Sequence, residues 1–202
     1  ACLNLGGFSN ISFRENGERR AFDMGPVNIL LNHLARRQGL DFDEDGKIAQ
    51  SGNLNEALLR QLNHLDYYDR QIPKSLGFEW FSETILPIFE SSTSLVSDQL
   101  HTAVEHIAWT INSQFQRFGD PNARHMLFTG GGANNPYLIQ RIKALLPDEM
   151  DITIPDLDII DYKEAIIFAL MRLLRQLGEI NCLASVTGAI RDSSSGTIFL
   201  PS

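Results

Sequence analysis

The chain has 202 residues, enough for one sizeable core, and its 43% hydrophobic and 21% charged content excludes a disordered polymer. A formal net charge of −8 with no run of lysines or arginines excludes broad nucleic-acid binding, because counterion release needs a basic face. Cys2 and Cys182 are too few for a disulfide framework, and neither a signal peptide nor a membrane-length apolar run is present, so a cytoplasmic protein without membrane contact is expected.

The chain opens in a buried strand, Cys2-Leu3-Asn4-Leu5, running into Gly6-Gly7 with no leading polar tail, as expected of a piece cut from a longer protein. Phe8–Arg14 alternates Ile11 and Phe13 with Asn10 and Ser12, Asn16-Gly17 supplies a hairpin turn, and Arg20–Met24 runs to Gly25-Pro26. Three strands in an antiparallel meander are predicted. Two ends of this meander place glycines beside polar groups, over Asn4–Asn10 and Asp23–Asn28. Such a corner either aims N–H groups at a phosphate or bends the sheet.

Ile29–Gln38 predicts a helix with Ile29, Leu30, His33 and Leu34 inward, stopping near Gly39. Asp41–Gly46 begins like a calcium loop, but Gly52 stands where the bidentate glutamate is required, and an acidic turn ahead of a helix is preferred. Asn53–Asn63 is amphipathic through Leu54, Leu58, Leu59 and Leu62. Lys74, in the irregular stretch Asp66–Leu76, reads as a solvated loop lysine or as a cation for a phosphate or sugar oxygen. Glu79–Phe89 spaces its aromatics as core residues. Ser92–Phe118 predicts the longest helix, with Leu95, Leu100, Val104, Ile107, Ala108, Ile111 and Phe115 on a buried stripe. His101 and His106 lie five apart, which does not suit a shared metal, and no metal site is expected.

His125–Ile142 reads as a strand (Met126–Phe128), a turn of Gly130, Gly131 and Gly132, and a helix opened by Asn134 or Asn135 with Pro136 at its first position. The glycines permit close approach of a nucleotide, or serve an ordinary strand-to-helix connection. Neither the dinucleotide fingerprint nor a Walker A loop is present. Met150–Ile154 is a short strand. Asp161–Glu164 opens a helix, Ala165–Leu177, apolar on most sides and expected to be central. Asp161 and Glu164 read as a capping pair, with a carboxylate aimed into a cleft as the alternative. The tail reads as a turn at Ser193–Gly196 and a last strand over Thr197–Leu200.

Six blocks in this order, Asn4–Ile11, Asp23–Asn28, Pro73-Lys74-Ser75, Thr129–Asn135, Glu164–Ala169 and Val186–Ala189, resemble the C-terminal half of anhydro-N-acetylmuramic acid kinases. The similarity runs along nearly the whole chain. It implies an α/β fold, a ribonuclease H-like lobe of the actin/hexokinase-type ATPases, with a mixed sheet, an antiparallel N-terminal meander and several packed helices. Residues 1–202 would form one domain, the C-terminal lobe of a two-lobed kinase whose N-terminal lobe is absent from this chain. The implied reaction uses ATP with Mg²⁺ to phosphorylate the 6-oxygen of 1,6-anhydro-N-acetylmuramic acid while water opens the anhydro bridge, giving N-acetylmuramic acid 6-phosphate for peptidoglycan recycling.

By this resemblance Gly6 and Gly7 sit near the ATP phosphates, Gly130, Gly131, Gly132 and Asn134 near the adenosine end, and Glu164 and Asn28 contact the anhydro amino sugar. The aspartate that activates water is implied to lie upstream of Ala1, so no catalytic residue is assigned and the chain alone is expected to be inactive. The implied partners are ATP, the anhydrosugar and the missing lobe, with a homodimer also admitted. Three departures from the family pattern stand out. Val27 replaces the second glycine of Gly-Pro-Gly-Asn, and Leu76 and Phe78 replace the threonine and arginine common after Pro-Lys-Ser. They suit an alternative, a degenerate, non-catalytic lobe that binds a nucleotide or sugar as a scaffold or regulator.

Overall fold

The computed structural model describes residues 1–120 and 122–199. It is a mixed α/β architecture around a five-stranded sheet. Strands β1 (Cys2–Leu5), β2 (Phe8–Glu15) and β3 (Glu18–Pro26) form the antiparallel meander read from the alternation, and β4 (His125–Thr129) and β5 (Asp151–Thr153) add to β1 in parallel. The sheet order is β3-β2-β1-β4-β5. The β2–β3 turn is tight because Asn16 and Gly17 both take positive φ, 51° and 86°, the conformation that a two-residue hairpin loop demands.

Side chains alternate across a sheet, so one register fixes both faces. Leu3 pairs with Ile11 and Ile11 with Phe22, and all three are buried on the core face. The opposite face carries the residues between them, including Asn4, Asn10 and Asp23.

The helices are α1 (Asn28–Arg36), α2 (Lys47–Ser51), α3 (Glu56–Asn63), α4 (Phe78–Trp80), α5 (Leu86–Glu90), α6 (Val96–Phe118), α7 (Pro136–Leu145), α8 (Leu157–Leu177) and α9 (Ala184–Thr187). A π-helical turn over Phe81–Ile85 joins α4 to α5. The central helix is α6, which packs against α1, α2, α3, α7 and β3 and buries Leu100, Val104, Ile107, Ala108 and Ile111. It starts four residues later than the periodicity predicts. Leu95, expected on the buried stripe, is instead the residue before the helix and is 71% exposed.

Several local expectations hold with a physical cause visible. Asn135 caps α7, its Oδ1 accepting the Leu138 N–H at 3.0 Å, with Pro136 at the first helical position. The acidic turn precedes a helix as expected, and both Asp43 carboxylate oxygens accept N–H groups of α2, from Ile48 and Ala49, at 2.9 Å. On α1 the inward residues are Leu30, Leu31, Leu34 and Ala35, with Ile29 and His33 half-buried.

Other expectations are corrected. Helix α8 begins at Leu157, because the apolar pattern continues upstream to the residues after Pro155, so Asp161 and Glu164 lie inside the helix and cap nothing. Nor is α8 central: Ile160 is its one buried residue. Lys74 is neither solvated nor aimed at a ligand. Its Nζ donates to Gln114 Oε1 at 2.6 Å and to the Tyr67 carbonyl at 3.2 Å, and lies 4.7 Å from the centroid of the Tyr67 ring. In the tail, residues 197–199 form no strand, and Leu200 lies outside the described residues. Helix α9, missed by the periodicity, packs on β3 instead. There Gly188 meets the block Pro73-Lys74-Ser75, such that a Cβ on it would lie 3.2 Å from Pro73 Cγ.

Among the described residues no helix is long and apolar enough to cross a membrane.

Candidate functional site

The glycine turn after β4 is shaped by β1. Gly130 has φ +82°, and a Cβ there would lie 2.6 Å from Asn4 Oδ1 and 2.7 Å from the Leu5 carbonyl oxygen. A Cβ on Gly132 would lie 2.9 Å from Leu5 Cβ. These two glycines are therefore required by packing of one strand end on another, the plainer of the two readings. Gly131 differs. It is exposed, a Cβ on it would have room at 3.5 Å from Asn28 Nδ2, and it faces a recess of about 460 Å³.

That recess brings together three of the residues singled out in the sequence, Asn28, Gly131 and Asn134, with Asn32 of α1 and the Phe42 ring on its other sides. Asn28 is held there by its Nδ2, which donates to the Leu5 carbonyl at 3.2 Å. The volume falls in the range of small-ligand sites. Phe42, 58% exposed, offers an aromatic face, while Gly131 offers bare backbone. Asp43 also borders the recess, its two oxygens accepting N–H groups of α2.

The Gly6-Gly7 corner joins the recess to the sheet. Its carbonyls accept the first N–H groups of α1, Gly7 from Val27 at 2.8 Å and Gly6 from Asn28 at 3.1 Å. The N–H groups of Gly6 and Gly7 donate to no protein acceptor among the described residues, which leaves two donors at an exposed corner. Val27 does not obstruct it. Its side chain is fully buried in the core, so this departure from the family pattern leaves the corner open.

On the non-core face of the sheet the register assembles a polar row. Asp23 pairs with Asn10, Asn10 with Asn4, and Asn4 with Thr129, so four polar side chains cross four adjacent strands. Lys163 of α8 closes the row, its Nζ donating to Asn4 Oδ1 and, at 3.2 Å, to Thr129 Oγ1. Burial lowers the Lys163 pKa, opposed by the neighbouring charge of Glu164. At the other end burial raises the Asp23 pKa, opposed by the Leu76 N–H donated to Oδ2 at 2.8 Å. Because that bond uses the backbone of Leu76, it does not depend on the side chain at this departure from the family pattern. The Asp23 backbone is fixed as well, by the Tyr67 hydroxyl on its carbonyl at 2.6 Å and by the Lys74 carbonyl on its N–H at 3.1 Å.

Glu164 is exposed, follows Lys163 directly on α8 and is not one of the residues lining the recess. The structure thus gathers Asn28, Gly131 and Asn134 in one place, with Gly6 bonded to Asn28 and Gly130 packed on Leu5, and leaves Glu164 exposed on α8. Reasoning from the sequence missed Asp23 as a carboxylate of altered basicity, named Asn10 and Thr129 only within longer blocks, and gave Lys163 no role. One signal was present: polar residues at strand positions flanked by buried apolar ones, as in Leu3-Asn4-Leu5 and Phe22-Asp23-Met24.

Comparison with known proteins follows the same direction. The family model described as anhydro-N-acetylmuramic acid kinase matches residues 1–201. Curated proteins of that description from Vibrio cholerae and Pasteurella multocida are 35% identical over 206 residues and 36% identical over 202, each match covering 98% of this chain but only 55% and 54% of the relative. The chain therefore spans about half the length of the curated relatives it matches. Among solved structures it is similar to component A of the Acidaminococcus fermentans (R)-2-hydroxyglutaryl-CoA dehydratase, at 14% identity and a TM-score of 0.48, covering 82% of this chain and 57% of that one; a likeness so distant says nothing about the site.

Proposed function

Because the chain belongs to the anhydro-N-acetylmuramic acid kinase family, we propose that it is the C-terminal, ribonuclease H-like lobe of an ATP-dependent kinase acting on 1,6-anhydro-N-acetylmuramic acid. In this reading the recess of Asn28, Gly131 and Asn134 holds the adenosine end of ATP. The phosphates run past the Gly6-Gly7 corner, where free N–H groups meet them. ATP would supply the phosphoryl group, and Mg²⁺ bound with it would supply charge neutralisation for the transfer.

The polar row supplies the acceptor side. Asp23, made more basic by burial, accepts a proton from the water that opens the anhydro bridge; a carboxylate pKa moved toward the working pH suits that task. Lys163 orients the start of α8 through Asn4 and Thr129, which places Glu164 at the sugar. This assigns a base within the chain itself, where the family resemblance alone suggested an upstream one. The rest of the cleft belongs to the part of the family polypeptide beyond this chain's match.

The observation that carries the reading is the recess in which Asn28, Gly131 and Asn134 meet, tied to β1 by the bond from Asn28 Nδ2 to the Leu5 carbonyl. Calorimetric titration of the chain with ATP tests it. Gly131→Val, which fills the recess, is expected to weaken ATP binding about tenfold or more, as expected for blocking a pocket, while Asp23→Asn leaves it unchanged. Equal ATP affinity of wild type and Gly131→Val would overturn the nucleotide assignment. With the chain joined to the remaining part of a relative, phosphorylation of the anhydrosugar by wild type and its loss in Asp23→Asn are expected; full turnover by Asp23→Asn removes it as the base.

A further inference from the structure

Helix α8 carries a second pattern that the site does not use. Ile159, Tyr162, Ile166, Leu170, Leu173 and Leu177 follow one another at spacings of three and four residues, which sets them on a single stripe of the helix. All six are exposed, by between 46% and 65%, and the stripe runs for about 27 Å at the rise of an α-helix. The adjoining side, with Ile160 and Lys163, is the one turned to the body of the protein. A stripe of this spacing is the pattern by which one helix seats another.

We propose that this stripe is the docking surface for the part of the family polypeptide that lies beyond the chain's match, and that a helix of that part packs along it. Two observations select this occupant. The curated relatives are nearly twice the length of the matched region, so the family contains a further body of chain able to cover the stripe. And Lys163 pins α8 beside Asn4 and Thr129, so whatever covers the stripe also lies next to the polar row, where a cleft needs its second wall. A second copy of this chain would cover the stripe while leaving both rows without that wall. The identity of the occupant rests on the kinase-lobe reading, whereas the surface itself rests on geometry alone.

The test is co-expression of the 202-residue chain with the segment of the Vibrio cholerae relative outside the match, followed by affinity capture and light-scattering mass measurement. A 1:1 complex is expected, weakened about tenfold or more by Ile166→Glu combined with Leu170→Glu, as for the centre of a helix interface. Arg172→Glu, off the stripe, leaves it intact. Because the stripe residues are exposed, circular dichroism and melting of the free chain should not change in the double variant. Three results overturn the proposal: no complex with the wild-type chain, a complex indifferent to the double variant, or a homodimer of the chain that the double variant dissolves. ATP titration of the same preparations reports on the nucleotide recess separately, so either assignment fails without the other.

Discussion

Lys163 and Thr129 meet with Nζ 3.2 Å from Oγ1, across 34 positions of sequence, and this contact with the paired one to Asn4 ties α8 to the ends of two parallel strands. Replacing Lys163 by Met removes both bonds while keeping an apolar stem. The expected cost is about 1–2 kcal/mol, the net worth of a pair of partly buried hydrogen bonds. Amide hydrogens of 157–165 should exchange faster while those of α6 do not. Unchanged exchange over 157–165 would mean that α8 is held by something else.

Gly130 and Gly131 of the turn should separate on substitution. Gly130→Ala meets both a positive φ and a Cβ 2.6 Å from Asn4 Oδ1, and is expected to lose on the order of 2–4 kcal/mol. Gly131→Ala meets only an ordinary contact, 3.5 Å from Asn28 Nδ2, and should stay within about 1 kcal/mol of wild type. Urea midpoints of the two variants measure the difference, and equal losses would contradict the packing of Gly130 on β1.

Inside the body, the His106 ring bonds the Tyr68 hydroxyl through Nε2 at 2.8 Å and Asn63 Oδ1 through Nδ1 at 2.7 Å, and because an amide oxygen only accepts, Nδ1 is the donor there. Burial pushes the His106 pKa down to about 3. A folded pKa below the unfolded value means that the unfolded chain binds the proton first. The stabilisation by His106 is thus fully present above about pH 6.5 and is lost as pH falls from there toward 3. Wild type should lose up to about 1.4 kcal/mol per pH unit from this one group within that window. His106→Leu should show a shallower acid slope, readable from denaturation midpoints at pH 7, 6, 5 and 4 under the same linkage. Parallel slopes for the two proteins would remove His106 as the acid-sensitive group.

Lys74 ties the 66–77 segment to α6 through Gln114, and burial, with the nearby Arg117 charge, pushes its pKa down to about 8. Lys74→Met should cost about 1–3 kcal/mol, because Gln114 Oε1 and the Tyr67 carbonyl lose their donor. Since the Lys74 carbonyl accepts the Asp23 N–H, the same variant should loosen the backbone around Asp23, seen as faster exchange of that amide. An Asp23 amide as protected as in wild type would separate the two.

What the sequence determined by itself is local. Alternation over a few residues was enough for β1–β3, Asn16-Gly17 for the turn with two positive φ values, and Asn135-Pro136 for the cap of α7, because each of these is settled by neighbours in the chain. Ordered blocks of residues also carried the family. The tertiary structure alone decided what depends on distant partners. Asp23, Asn10, Asn4 and Thr129 become one row only through strand register, and no spacing in the sequence encodes the pairing of Asn4 with Thr129. Lys74 looks like a loop lysine until Gln114 and the Tyr67 ring surround it. Helix α8 reads as a core helix because its side chains are apolar, yet burial belongs to whatever packs against a helix, and among the described residues only Ile160 of α8 is buried.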